Sequence, residues 1–154
     1  MKRIFSSLFT KPKLHKLLKN KLSKDVALIS VQELNLQKSK YMILDTRTQE
    51  EFEISHIPKA QWVNENPKQD LISQLIPDPN TPVVVYCSLG IRSNEVARQL
   101  LSLNYKEVYN LYGGIFDWKD NGFDVVNPLG ESTEEIHTFS KQWSTYLKTG
   151  IKIY

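Results

Sequence analysis

The sequence predicts an α/β fold: a mostly parallel central sheet flanked by helices in three layers, with an extra helix at each end of the chain. Three observations predict it. Strand-like and helix-like segments alternate from about residue 28 to residue 126. The run "VVVY" (83–86) is apolar and β-branched on both faces, as a central parallel strand should be. At 154 residues, 40% hydrophobic and 24% charged, the chain is one ordinary domain with enough apolar material for a core.

The elements follow in order. Residues 1–27 form a basic arm. Its first 24 residues hold eight Lys/Arg and no acid, whereas the remaining 130 hold 12 Lys/Arg and all 17 Asp/Glu. The body is therefore mildly acidic, which argues against a nucleic-acid-binding core. The arm starts like a secretory signal, but its apolar run is too short and no small-residue cleavage site follows. Leu14, Leu17, Leu18 and Leu22 fall on one helical face among lysines. That face suits a helix packed on the acidic body, and less well a weak contact with a membrane surface. No apolar stretch approaches the ~20 residues that span a bilayer.

Within 28–126 the spacing predicts helices over 31–38, 48–55, 68–76, 93–104 and 114–122. Strands are predicted over 41–45, 60–64, 83–86 and 107–113. Pro77, Pro79 and Pro82 make a stiff connection before the central strand. Residues 127–154 read as an amphipathic helical extension. Ser132 and Glu135 have capping-box spacing, and Ile136, Phe139, Trp143, Tyr146 and Leu147 form a stripe that Gly150 ends.

The one cysteine, Cys87, lies at the seam between the central strand and the next helix. A single thiol rules out an internal disulfide and any multi-cysteine metal site, and it suits a reducing, cytoplasmic setting. In open α/β sheets, sites form beyond the carboxyl ends of the strands. Residues 88–92 must turn the chain, with Gly90 free to take a positive φ. Such a loop aims several N–H groups into one cup at a helix N-terminus, and Arg92 adds a full charge. Each effect favours thiolate over thiol, the reactive form. The bland alternative, a buried apolar cysteine, fits this position less well.

Three segments resemble the rhodanese family of single-domain sulfurtransferases. "LDTRTQEEFEISHIPKAQWVN" (44–64) is similar to the first family signature, with Asp45, Arg47, Glu51, Phe52, His56, Ile57, Pro58 and Ala60 in place. "CSLGIRS" (87–93) resembles the active-site loop, matching at Cys87, Gly90, Arg92 and Ser93. "LYGGIFDWKDNGFDV" (111–125) resembles the closing signature, matching at Leu111, Gly113, Gly114, Trp118 and Gly122. The resemblance covers about residues 28–126. Ser55 and Lys59 depart from it where the family usually has glycines, and Asp124 where a proline is common.

The resemblance implies a rhodanese-like fold and a Cys87 persulfide that passes sulfane sulfur from thiosulfate or a persulfide to a thiophilic acceptor. It implies no metal or organic cofactor. Ser88, Leu89, Gly90, Ile91, Arg92 and Ser93 would bind the small anionic donor. Leu89 and Ile91 would form an apolar rim, and Ser93 would chiefly cap the following helix. Asp45 and Arg47 would support the loop, more as an ion pair than as ligands. His56 would be structural, while His15 and His137 have no obvious partners. The acceptor would be an external thiol or protein, because the chain holds no second cysteine. A six-residue loop from Cys87 to Arg92 suits sulfur transfer, and one residue more would suit phosphatase and arsenate-reductase relatives. The rival from another class is a catalytically silent docking or regulatory module.

Overall fold

The structure is a computed structural model describing residues 11–154. The signal-like start of the arm lies outside the described residues. Five parallel strands form the main sheet: β1 (Ala27–Ile29), β2 (Met42–Asp45), β3 (Gln61–Trp62), β4 (Val83–Tyr86) and β5 (Val108–Leu111), in the order β1-β5-β4-β2-β3. All four residues of β4 are buried, as the apolar run predicts. Side chains alternate across its two faces. Val84 and Tyr86 join Ile43 in one core, while Val83 and Val85 join Leu44 in the other. The second core is covered by α4 (Gln69–Leu75) and α5 (Ile91–Ser102) through Ile72, Val96, Ala97 and Leu100. The first is covered by α1 (Pro12–Lys21), α2 (Val31–Gln37) and α6 (Gly114–Asp120). Between β2 and β3 runs α3 (Gln49–Ile54), started by a capping box between Thr48 and Glu51. Within the main sheet, strand β1 is the element that sequence periodicity misses. Three residues are too few to show a period.

Helix α1 buries Leu14 and Leu18 in the core, with Leu17 and Leu22 packed against it. His15 has a partner after all, the hydroxyl of Tyr112 at 2.6 Å from Nδ1. Lys11 reaches Asp120 at 2.6 Å and Asp117 at 3.3 Å. The apolar face that a membrane contact would need is thus spent on the acidic body.

The helical extension over 127–154 is not what forms. Asn127–Gly130 turns the chain, so β7 (Ser132–Thr133) pairs antiparallel with β6 (Val125–Val126). Strand β8 (Glu135–His137) pairs in parallel with β9 (Ile151–Ile153), and only one helical turn, α7 (Lys141–Ser144), lies between them. The stripe is divided: Ile136 and Leu147 are buried, whereas Phe139 is exposed with φ of 68°. Short hydroxyl side chains explain the loss of helix. Ser144 and Thr145 donate to nearby carbonyls, and Ser140 caps α7 by accepting from Trp143 N. Tertiary contact does the rest: Ser55 Oγ donates to Glu135 O at 2.6 Å, fastening β8 to the end of α3.

Lys59 takes φ of 68°. A left-handed residue with a Cβ costs ~1–2 kcal/mol, partly offset by the lower entropy of its unfolded chain. Lys59→Gly is expected to stabilise the fold by ~0.5–1 kcal/mol and to raise Tm by about 3 °C in calorimetry.

Candidate active site

Cys87 follows β4 directly and is fully buried. Gly90 takes φ of 112° as the N-cap of α5. That conformation turns its N–H back onto Cys87 Sγ at 3.1 Å. The helix begins at Ile91, two residues before the expected start. Arg92 and Ser93 therefore sit in its first turn, where N–H groups have no partner one turn earlier. Because Ser93 is inside the helix, its side chain is no cap. Its hydroxyl donates to Asn110 Oδ1 at 2.6 Å and lies 3.4 Å from Cys87 Sγ.

The loop is held from below. Ile115 N donates to Cys87 O at 3.0 Å and Phe116 N to Ser88 O at 3.2 Å. Asn110 Nδ2 donates to Gly90 O at 2.9 Å. Gly114 makes this contact possible: at φ of 59°, an added Cβ would lie 2.4 Å from Cys87 O and 2.5 Å from Ser88 O. Gly114 thus lets α6 press its N-terminus against the loop.

Arg92 does not pair with Glu95, which instead lies 3.6 Å from Arg98. Its fork grips the buried Glu51 of α3, Nη1 to Oε2 at 2.8 Å and Nη2 to Oε1 at 2.9 Å. Ser88 Oγ joins both, donating to Glu51 Oε1 at 3.2 Å and accepting from Arg92 Nη2 at 2.9 Å. Burial would lower the Arg92 pKa, but the Glu51 hydrogen bond and the Cys87 and Glu51 charges raise it. For Glu51, burial pushes upward, yet the Arg92 hydrogen bonds and charge, then Arg47, hold it down at about 2. Its folded value thus lies below the unfolded value near 4.5. The stability from ionised Glu51 is therefore full above about pH 4.5 and is lost as pH falls towards 2. This contribution should be about 2 kcal/mol smaller at pH 3 than at pH 7. Urea unfolding at both pH values checks it: Glu51→Gln should lack that part of the acid loss.

Asp45 and Arg47 form a buried ion pair at 2.7 Å rather than a ligand set. Asp45 also accepts from the Tyr86 hydroxyl at 2.6 Å, and Arg47 donates to Ser55 O at 2.7 Å. The pair ties β2, β4 and the end of α3 together under the loop. Leu89 is fully buried in the core, so it forms no rim, whereas Ile91 stays half-buried. His56 stacks on Phe52 at 3.9 Å, and burial lowers its pKa. His137 Nδ1 accepts from Phe139 N at 3.0 Å. Among the described residues no group of His, Cys, Asp and Glu could hold a metal ion. None of their helices is long and apolar enough to cross a membrane.

The sequence does not place Glu51, Asn110, Phe139 or Trp143 at the site: Glu51 is legible only as a signature match, and Phe139 and Trp143 only as part of an apolar stripe. The Thr48–Glu51 spacing signals the cap but not the second use of its carboxylate. Nothing local points to the aromatic pair: the Arg92 guanidinium carbon lies 4.3 Å from the Phe139 ring centroid and 5.4 Å from that of Trp143.

The fold and the loop together define a class, and comparison agrees with it. The family described as Rhodanese-like domain matches residues 30–121, and the chain belongs to it. A thiosulfate sulfurtransferase GlpE of Coxiella burnetii is 37% identical over 84 residues, 54% of this chain and 77% of that protein. An adenylyltransferase and sulfurtransferase UBA4 of Candida albicans is 34% identical over 54% of this chain, but only 20% of its own length is spanned. A tRNA uridine(34) hydroxylase of Chlamydia pneumoniae is 37% identical over 61% of this chain and 32% of that protein. The crystal structure of a thiosulfate sulfurtransferase from Pseudomonas aeruginosa shares the fold, with TM-score 0.61 at 24% identity, over 79% of this chain and 23% of that one. A transferase of the rhodanese family is the class these findings support.

Proposed function

We propose that this protein is a sulfurtransferase that carries sulfane sulfur on Cys87. The observation that bears most on this reading is Cys87 Sγ under the Gly90 N–H, at the floor of a six-residue loop matching the family motif. In the first step the Cys87 thiolate attacks the outer sulfur of thiosulfate or of a persulfide. The sulfur–sulfur bond of the donor breaks, and sulfite or a thiolate leaves with the electron pair. In the second step a thiophilic acceptor attacks the outer sulfur of the Cys87 persulfide, and the Cys87 thiolate leaves. N–H groups at the start of α5 stabilise the persulfide anion, with the helix dipole adding to them. Ser88, Ser93 and Arg92 flank it. This chain has one cysteine, so the acceptor is an external thiol or a partner protein. The pairing of Arg92 with Glu51 weighs against a phosphate dianion as substrate.

Two half-reactions with a covalent intermediate demand ping-pong kinetics. Thiocyanate formation should give parallel double-reciprocal lines when donor and cyanide are varied together. Intersecting lines would overturn the covalent carrier.

A further inference from the structure

We infer that Phe139 and Trp143 select the donor at this site, favouring a singly charged, carbon-bearing sulfane donor over the thiosulfate dianion. The inference rests on the sulfur-transfer reading and concerns its substrate class.

Residues 131–154 lie beyond the matched family region, yet they reach the mouth of the loop. The segment is firmly built. Besides the Ser55–Glu135 bond, the Asp120 carboxylate accepts from the backbone N–H groups of Lys148 and Thr149, and Lys119 pairs with Glu134 at 2.8 Å. A glycine at position 55 would offer no hydroxyl for this anchor. The backbone at Phe139 is held in the left-handed region, which a bulky side chain rarely adopts. The strain is sustained to put one ring over Arg92, with the Trp143 ring 4.7 Å from it.

The arrangement changes what the mouth can recognise. The Arg92 fork is occupied by Glu51, and the rings lie against its guanidinium. Glu51 and Ser88 take three of the five guanidinium N–H groups, and the buried Nε has no partner among the described residues. Glu51 already neutralises this guanidinium, and in the proposed reaction the Cys87 thiolate adds its own charge to the same loop, so a second negative charge on the donor is disfavoured. Phe139 is 44% exposed and offers apolar surface to an organic group. The favoured reaction is R–SO2–S⁻ plus Cys87 thiolate giving Cys87 persulfide and R–SO2⁻. One sulfur–sulfur bond forms, one breaks, and the electron pair leaves on the sulfinate.

Three donors separate the contributions: thiosulfate, methanethiosulfonate and benzenethiosulfonate. The two thiosulfonates share charge and type of leaving group and differ in the organic group. Wild type should use benzenethiosulfonate about tenfold better in kcat/KM than methanethiosulfonate. Phe139→Ala should lose most of that ratio, and Phe139→Tyr should keep it. A ratio within one variant is indifferent to partial loss of folded protein. An unchanged ratio in Phe139→Ala, or a wild-type preference for thiosulfate over both thiosulfonates, overturns the inference but leaves sulfur transfer standing. Persulfide from none of the three donors overturns both.

Discussion

Cys87→Ser is expected to lose sulfur transfer entirely while keeping stability to within about 1 kcal/mol. Serine is nearly isosteric with cysteine, and its oxygen can still accept from the Gly90 N–H that now meets Sγ at 3.1 Å. The loop should therefore hold its shape. A hydroxyl stays protonated near neutral pH, and its oxygen does not form the disulfur link that stores sulfane sulfur. Thiocyanate formation should fall to background, with an unfolding midpoint close to wild type. Residual Cys87-independent transfer would mean that another group carries the sulfur.

Gly114→Ala should be the most damaging change that touches no reacting atom. The new Cβ would meet two backbone oxygens, Cys87 O at 2.4 Å and Ser88 O at 2.5 Å. Neither can swing aside as a flexible side chain would. The loop must lift, which breaks the Ile115–Cys87 and Phe116–Ser88 bonds and strains a left-handed alanine. A loss of about 3 kcal/mol is expected, with Tm lower by about 9 °C. Because the sulfur is displaced from its N–H donors, kcat/KM should drop about 100-fold in the folded fraction. Gly122→Ala is the control. It also has a positive φ, at 82°, but nothing lies within 4 Å of its added Cβ. It should cost only about 1 kcal/mol and leave sulfur transfer intact.

One spacing that occurs twice shows how far the sequence alone reaches. Thr48–x–x–Glu51 and Ser132–x–x–Glu135 look alike as helix starts. Thr48 opens α3, because Glu51 satisfies the Thr48 N–H and is itself buried against Arg92. Ser132 opens no helix, because β6 supplies a strand to pair with and Ser55 takes the Glu135 carbonyl. The difference lies in tertiary partners, among them Arg92 for Glu51 and Ser55 for Glu135, which periodicity does not sense. The central strand, Cys87 and Gly90 were legible for the opposite reason. Their roles depend on local backbone shape: an apolar run, a turn needing positive φ, and a helix start. The dual role of Glu51 arises only when α3 meets the loop and α5, and the ring contacts of Phe139 and Trp143 only when the end of the chain folds back over α3. His15 gains the Tyr112 hydroxyl in the same long-range way, from the other end of the chain.

The central claim is that Cys87 holds the sulfur between donor and acceptor. Weighing the intact chain after incubation with a sulfane donor, and again after cyanide, tests it most directly. Wild type should gain the mass of one sulfur atom, lose it to cyanide as thiocyanate, and do so only with Cys87 present. An unchanged mass with every sulfane donor, or an equal gain on Cys87→Ser, would contradict the account.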